Sequence, residues 1–182
     1  MSLEDLIGGL PGYAKDLKLN YSSLVRQNSE LTPAQLWGTV VSTAIATRNE
    51  ALTAAVIAQA AEVLSPAVLD AAKAAAAIMG MNNIYYRFHH LTTNDKYATL
   101  PARLRMNALR GHGAEAVDFE LWCLAVSAVN ACGKCVDSHE QVLRDKGATE
   151  ELINSAIRVS AVVHAIGVVL DAEKASPTVA AA

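Results

Sequence analysis

Cysteine, positive charge and long apolar runs are all scarce in this sequence, and each scarcity removes a class of protein. Three cysteines in 182 residues are too few to staple a fold. In a reducing compartment they argue for catalysis, redox work or metal binding. The formal net charge is −3 and the pI is near 5.9, so nothing recommends nucleic acid or an anionic membrane surface as a partner. No apolar run is expected to reach the roughly 20 residues of a membrane span, because Glu62, Lys73 and Arg158 interrupt the richest stretches. The start, Met1-Ser2-Leu3-Glu4-Asp5, carries acids where a secretory leader carries cations. A cytoplasmic protein is the expectation. Alternation of apolar and polar residues is also missing, which leaves no convincing strand.

What is present is alanine, Leu, Val and Ile at helical spacing, with 52% hydrophobic residues overall. The expected class is all-α, one domain over residues 1–182. A first helix runs from about Ser2 to the Pro11-Gly12 break, and Tyr13–Asn28 is mixed. Thr32-Pro33-Ala34-Gln35 reads as an N-cap, a first-position proline and a capping box. The helix it opens should end near Thr47, and another should span about Arg48–Glu50 to Leu64. Ser65-Pro66 caps a helix predicted over Ala67–Met81. Residues 83–116 read as a connector, with a helix-like Leu100–Arg110 and with His89, His90 and His112 as surface or connector residues. The last helix, about Thr149 to Glu173, is apolar on most faces and should be buried. Ser176–Ala182 reads as a disordered tail.

The pattern then repeats. Gln35-Leu36-Trp37 matches Glu120-Leu121-Trp122, Val41-Ser42 matches Val126-Ser127, and Ser65–Met81 matches Thr149–Ala165. This predicts an internally duplicated helical unit, with halves at about 32–82 and 117–173. Trp37 and Trp122 would be equivalent core anchors. Where the second half has Cys132, Cys135 and His139, the first has Thr47, Glu50 and Ala54.

Those three residues carry the chemistry. At about 100° per residue, a helix puts Cys132, Cys135 and His139 within about 60° of one another. A helix starting near Cys132 would aim its positive end at the sulfurs, and Lys134 adds a cation. His139, one turn beyond Cys135, can take its proton, and the second thiol can condense with an oxidised first one. Glu120 is the candidate orienting group for His139. On an unbroken helix it would lie about 18 Å from Cys132, so the chain must turn around Asn130–Gly133 for the two to meet. The same C-x-x-C-x-x-x-H set could instead hold metal, although it supplies three ligands where structural zinc wants four. Cys123 beside Trp122 reads as core, and His164 as a hydrogen-bonded core histidine.

Glu120-Leu121-Trp122, Ser127-Ala128-Val129-Asn130 and Cys132-x-x-Cys135-x-x-x-His139 together resemble the AhpD-like alkyl hydroperoxidases of the carboxymuconolactone decarboxylase superfamily. Leu10-Pro11-x-Tyr13-Ala14-Lys15-Asp16, Gln35-Leu36-Trp37-Gly38-Thr39, Ala46-Thr47-Arg48-Asn49, Ile78-Met79-Gly80-Met81-Asn82-Asn83 and Leu104-Arg105-Met106-Asn107 extend the likeness over nearly the whole chain. The resemblance implies an all-helical fold with an internal repeat, assembled as a homotrimer. It implies an antioxidant enzyme that reduces organic hydroperoxides and passes electrons from a lipoylated acyltransferase subunit to the peroxiredoxin AhpC. Dihydrolipoamide would be the electron donor, with no bound cofactor and no metal. By the same resemblance, Cys135 becomes the sulfenic acid and forms the mixed disulfide with AhpC. Cys132 is proton donor and resolving thiol, Cys132 and Cys135 close a disulfide, and His139 and Glu120 relay protons.

One position departs from the family pattern: a histidine is expected immediately before the second motif cysteine, and Lys134 stands there. Lysine, with an ordinary pKa of about 10.4, favours a neighbouring thiolate but shuttles protons poorly near neutrality. Dipole reasoning alone favours Cys132 as nucleophile, whereas the resemblance and the reach of His139 favour Cys135, and Cys135 is the expected nucleophile. Two other readings remain open: a zinc-stabilised or structural partner-binding protein, and a decarboxylase or isomerase of the superfamily. The latter has no evident need for two sulfurs.

Overall fold

The computed structural model describes residues 1–175, so the expectation for Ser176–Ala182 lies outside the described residues. Eight α-helices and no strand occur among them: α1 Leu3–Gly8, α2 Lys15–Tyr21, α3 Pro33–Thr47, α4 Glu50–Ala60, α5 Pro66–Leu91, α6 Ala116–Val129, α7 Gly133–Asp145 and α8 Glu150–Ala175. The all-helical class is as expected.

The caps form as the sequence indicates. Thr32 N–H donates to Gln35 Oε1 and Gln35 N–H donates to Thr32 Oγ1 (3.1 and 3.2 Å), with Pro33 at the first helical position. Ser65 caps α5 through the Val68 amide. From these starts α3 runs through the centre of the molecule and packs on α5, α6 and α8. Its Val40, Val41 and Ala44 are fully buried, as are Leu121, Trp122 and Val126 of α6 and Ala156 and Val159 of α8. Close approach of α3 and α6 depends on Gly38, because a Cβ there would fall inside the Trp122 indole. The indole N–H donates to the Gln35 carbonyl at 3.4 Å. The two tryptophans are therefore not equivalent anchors: Trp122 is fully buried, and Trp37 only packs partly buried on the core.

Three boundaries differ from expectation for physical reasons. Helix α5 runs ten residues past Met81, to Leu91. No breaker lies between Met81 and Thr92, and buried Asn83 is paired across the core with Ser127 and Asn130. The aromatic and histidine cluster at 85–90 thus belongs to a helix. Leu100–Arg110, expected as helical, is not: only Asn107–Leu109 forms a single 3₁₀ turn there. Pro101 holds Leu100 extended (ψ 137), and Arg103 adopts φ +50. Finally, α8 is long and apolar enough, by length and composition, to cross a bilayer, contrary to the expectation that no such run exists. Its apolar positions Ile153, Val159, Val163 and Ile166 are buried within the protein, and Thr43 of α3 donates to Ser160 at 3.0 Å. It is a core helix.

The order α3–α4–α5 is followed by α6–α7–α8, and α5 and α8 are both 26 residues long. In each set a single left-handed residue, Arg48 (φ +66) or Ala131 (φ +53), precedes the N-cap of the middle helix. That cap is Asn49 for α4, accepting from the Leu52 amide at 2.8 Å. For α7 it is Cys132, which makes no capping hydrogen bond. By helix boundary, then, Asn49 rather than Thr47 stands where Cys132 does.

Candidate active site

Helix α6 ends at Val129, and Asn130–Cys132 reverses the chain so that α7 folds back against it. This is the turn that Glu120 needs. Cys132 N–H donates to the Ser127 carbonyl (3.1 Å), and the Cys135 and Val136 amides donate to the Cys132 carbonyl (both 2.9 Å). Ala131 sits in the left-handed region, which costs a non-glycine residue energy. Helix α5 holds the turn from outside. Arg87 Nη1 donates to the Asn130 carbonyl (2.6 Å), Asn130 Nδ2 to Asn83 Oδ1 (2.9 Å), and Asn83 Nδ2 to Ser127 Oγ (2.9 Å).

Cys132 and Cys135 are joined as a disulfide, with their Cα atoms 5.3 Å apart. The two sulfurs are not placed alike. Cys132 is wholly buried, whereas Cys135 is 6% exposed and lines a cavity of about 340 Å³. His139 lines the same cavity one helical turn on. Its Nδ1 is 2.7 Å from Glu120 Oε2. An ionised carboxylate only accepts, so Nδ1 carries the proton and Nε2 is left for chemistry. In this disulfide form Nε2 lies 3.2 Å from Met79 Sδ. Lys134 is exposed on the first turn of α7 and also borders the cavity.

The rest of the wall was not read as part of the site from the sequence: Met79, Asn82 and Tyr86 from α5, and Met106 and Leu109 from the irregular segment after it. Positions 79, 82 and 86 share one helical face. Asn82-Asn83 was the available signal, a polar pair inside an alanine-rich helix, because buried amides need partners. The residues treated as a connector thus supply part of the cavity.

The zinc arrangement is not assembled. Among the described residues, no three His, Cys, Asp or Glu side chains are grouped to hold a metal ion. The two sulfurs are bonded to each other, and His139 Nδ1 is taken by Glu120. His164 contacts Thr47 Oγ1 at 3.2 Å, far from this site in role. His112 stacks on Phe119, with centroids 3.9 Å apart. Cys123 is free and fully buried.

Burial, reinforced by the Glu120 charge, pushes the Cys123 thiol far above the usual thiol range. It stays protonated, hence unreactive, at pH 8. After reduction, an alkylating reagent at that pH is expected to label Cys135 and spare Cys123 until the protein is unfolded. Peptide mapping checks this, and labelling of Cys123 in the folded protein would contradict its placement.

Residues 95–176 match the model of the Carboxymuconolactone decarboxylase family. The chain is 67% identical to a protein of Acidobacterium capsulatum named alkyl hydroperoxide reductase AhpD, over 96% of this chain and 95% of that one. It is 56% identical to the protein of the same name from Solibacter usitatus, over 95% and 97% of the two chains. A third relative of that name, from Koribacter versatilis, is 57% identical over 96% and 90%. With such identity across nearly its whole length, and with the C-x-x-C turn, the chain belongs to the AhpD family of alkyl hydroperoxide reductases.

Proposed function

We propose that the protein is an antioxidant enzyme that reduces organic hydroperoxides through Cys135 and Cys132, then hands electrons on as a disulfide reductase. The observation that carries this reading is the unequal setting of the two sulfurs. Cys135 borders a cavity together with a carboxylate-oriented imidazole, and its partner is sealed behind it.

In the reduced enzyme, His139 Nε2 takes the Cys135 proton, while Glu120 fixes the ring and offsets its charge. The thiolate attacks the terminal oxygen of the hydroperoxide. The O–O bond breaks, sulfur becomes the sulfenic acid, and the departing alkoxide takes a proton from the imidazolium to leave as alcohol. Cys132 then attacks the sulfenic sulfur, water departs, and the disulfide closes. A dithiol restores both thiols by exchange and is itself oxidised to a disulfide.

The family assignment supports dihydrolipoamide on a lipoylated acyltransferase subunit as that dithiol, and the peroxiredoxin AhpC as the recipient through a mixed disulfide at Cys135. Exchange needs only the two sulfurs, so Lys134 in place of a histidine bears on the direct peroxidase rate more than on this role. A cytoplasmic setting suits thiols that must be returned to the reduced form. A homotrimer is supported by the exposed apolar residues Ile84, Phe88, Leu91 and Leu100, which a subunit contact would cover.

Native mass spectrometry of the reduced protein tests the reading. One equivalent of an organic hydroperoxide is expected to remove two hydrogens, mapped to a Cys132–Cys135 bridge and restored by dihydrolipoamide. A metal adduct or an unchanged mass would overturn it, and the same spectrum counts the subunits.

A further inference from the structure

We propose that Asn82 binds the hydroperoxy group of the substrate and sets the terminal oxygen against Cys135, an inference that rests on the hydroperoxide reading above. Asn82 is only 5% exposed, lies on α5 three residues beyond Met79, and lines the Cys135 cavity. Its Oδ1 is buried without a hydrogen-bond partner. The next residue, Asn83, is fully committed to holding the Cys132 turn. Two adjacent buried amides on one helix therefore have different employment, and Asn82 alone of the pair has an unused valence.

The other polar groups around the cavity are not free in this way. Glu120 holds His139 Nδ1, and Nε2, the acceptor of the Cys135 proton, lies against Met79 Sδ, which has no hydrogen to give. Lys134 and Ser138 are exposed at the rim and Tyr86 is half-buried, so water serves them. Met79, Met106 and Leu109 make the remaining wall apolar. A second hollow of about 370 Å³ shares Met106 and Leu109 with this cavity. An organic hydroperoxide fits this division: its hydrocarbon part lies along Met106 and Leu109, and its –O–OH end needs one polar partner deep in the cavity. A buried carbonyl left unpaired is destabilising, and a peroxide O–H is the donor that would satisfy it. The two ends of a carboxamide exchange by a half-turn about its last bond, which also lets the amide N–H donate to a peroxide oxygen.

The atoms follow through the step. The terminal oxygen keeps the hydrogen it shares with Asn82 and moves to Cys135 as the sulfenic O–H. The alkoxide leaves and takes its proton from His139. Asn82 thus holds the substrate before the transfer and the sulfenic acid after it, until Cys132 displaces water.

The test is the second-order rate of thiol oxidation in pre-reduced protein, followed by stopped flow with cumene hydroperoxide. Asn82→Leu, of nearly the same volume but without polar atoms, is expected to lower that rate about tenfold, the worth of one neutral hydrogen bond. Reduction of the Cys132–Cys135 disulfide by dithiothreitol should keep its wild-type rate. The melting temperature should hold or rise, because an orphaned carbonyl is gone. Asn82→Ala, which opens space instead of filling it, is expected to show the same rate loss in the same half-reaction. Equal oxidation rates in wild type and both variants would overturn the inference and leave the hydroperoxide reading standing. A fall in melting temperature with both half-reactions slowed together would also overturn it, making Asn82 structural. Wild-type protein that cumene hydroperoxide does not oxidise would remove the reading and the inference together.

Discussion

Cys135→Ser is expected to lose hydroperoxide reduction by about 10⁴-fold or more, as removal of an enzyme's nucleophile does. A serine hydroxyl is not ionised by a neighbouring imidazole at neutral pH without further help, and it has no sulfenic acid to form. Cys132→Ser is expected to fail differently. Cys135 still borders the cavity, so one equivalent of hydroperoxide should be consumed and the protein should gain one oxygen. With the resolving thiol gone, turnover then stops. His139→Ala keeps both sulfurs and should be slow rather than dead. Its rate should climb toward alkaline pH, because the Cys135 thiol must then ionise without the imidazole that takes its proton. Peroxide-consumption assays with intact-mass readout separate the three outcomes. Full activity in either serine variant would end the mechanism.

The second large effect concerns the scaffold. Gly38→Ala is expected to destabilise the protein by about 3 kcal/mol, at the upper end for overpacking a core. The added methyl would sit inside the Trp122 indole, a rigid side chain with no exposed surface to retreat into. For a chain of this size that corresponds to a fall of roughly 6–12 °C in melting temperature. Gly80→Ala is the control: it is also helical, but exposed, with nothing near its new Cβ. It should be neutral or stabilising by up to about 1 kcal/mol. Thermal or denaturant melts of the two variants decide the matter, and similar melting of both would contradict the α3–α6 packing.

What could be read from the sequence was what depends on neighbours along the chain. Thr32-Pro33-Gln35 and Ser65-Pro66 specify helix starts within four residues, and both form. The meeting of Glu120 with His139 was legible only as a condition, that the chain reverse at Asn130–Gly133, and the reversal is there. Helix α5 continues past Met81, where the expectation stopped it, because Asn82 and Asn83 are weak helix formers whose distant partners a sequence does not show. Asn83 continues a helix because Ser127 and Asn130 take up its amide. The same blindness hid Arg87, Met106 and Leu109 from the site, since each reaches it across more than twenty residues of chain. Trp37 and Trp122 matched in sequence but not in burial, because the space at Gly38 serves one indole only.

The clamp of Asn83 and Arg87 on Asn130 fixes how this site can move. One helix carries both the clamp and the cavity wall of Met79 and Asn82, so the spacing from wall to sulfur is set within a single rigid packing unit. No hinge separates them. The opposite wall hangs on residues 92–115, a strap with two short 3₁₀ turns and no α-helix. Any breathing that admits a bulky molecule is therefore expected of the strap, which lacks α-helical hydrogen bonds, before the clamped helix.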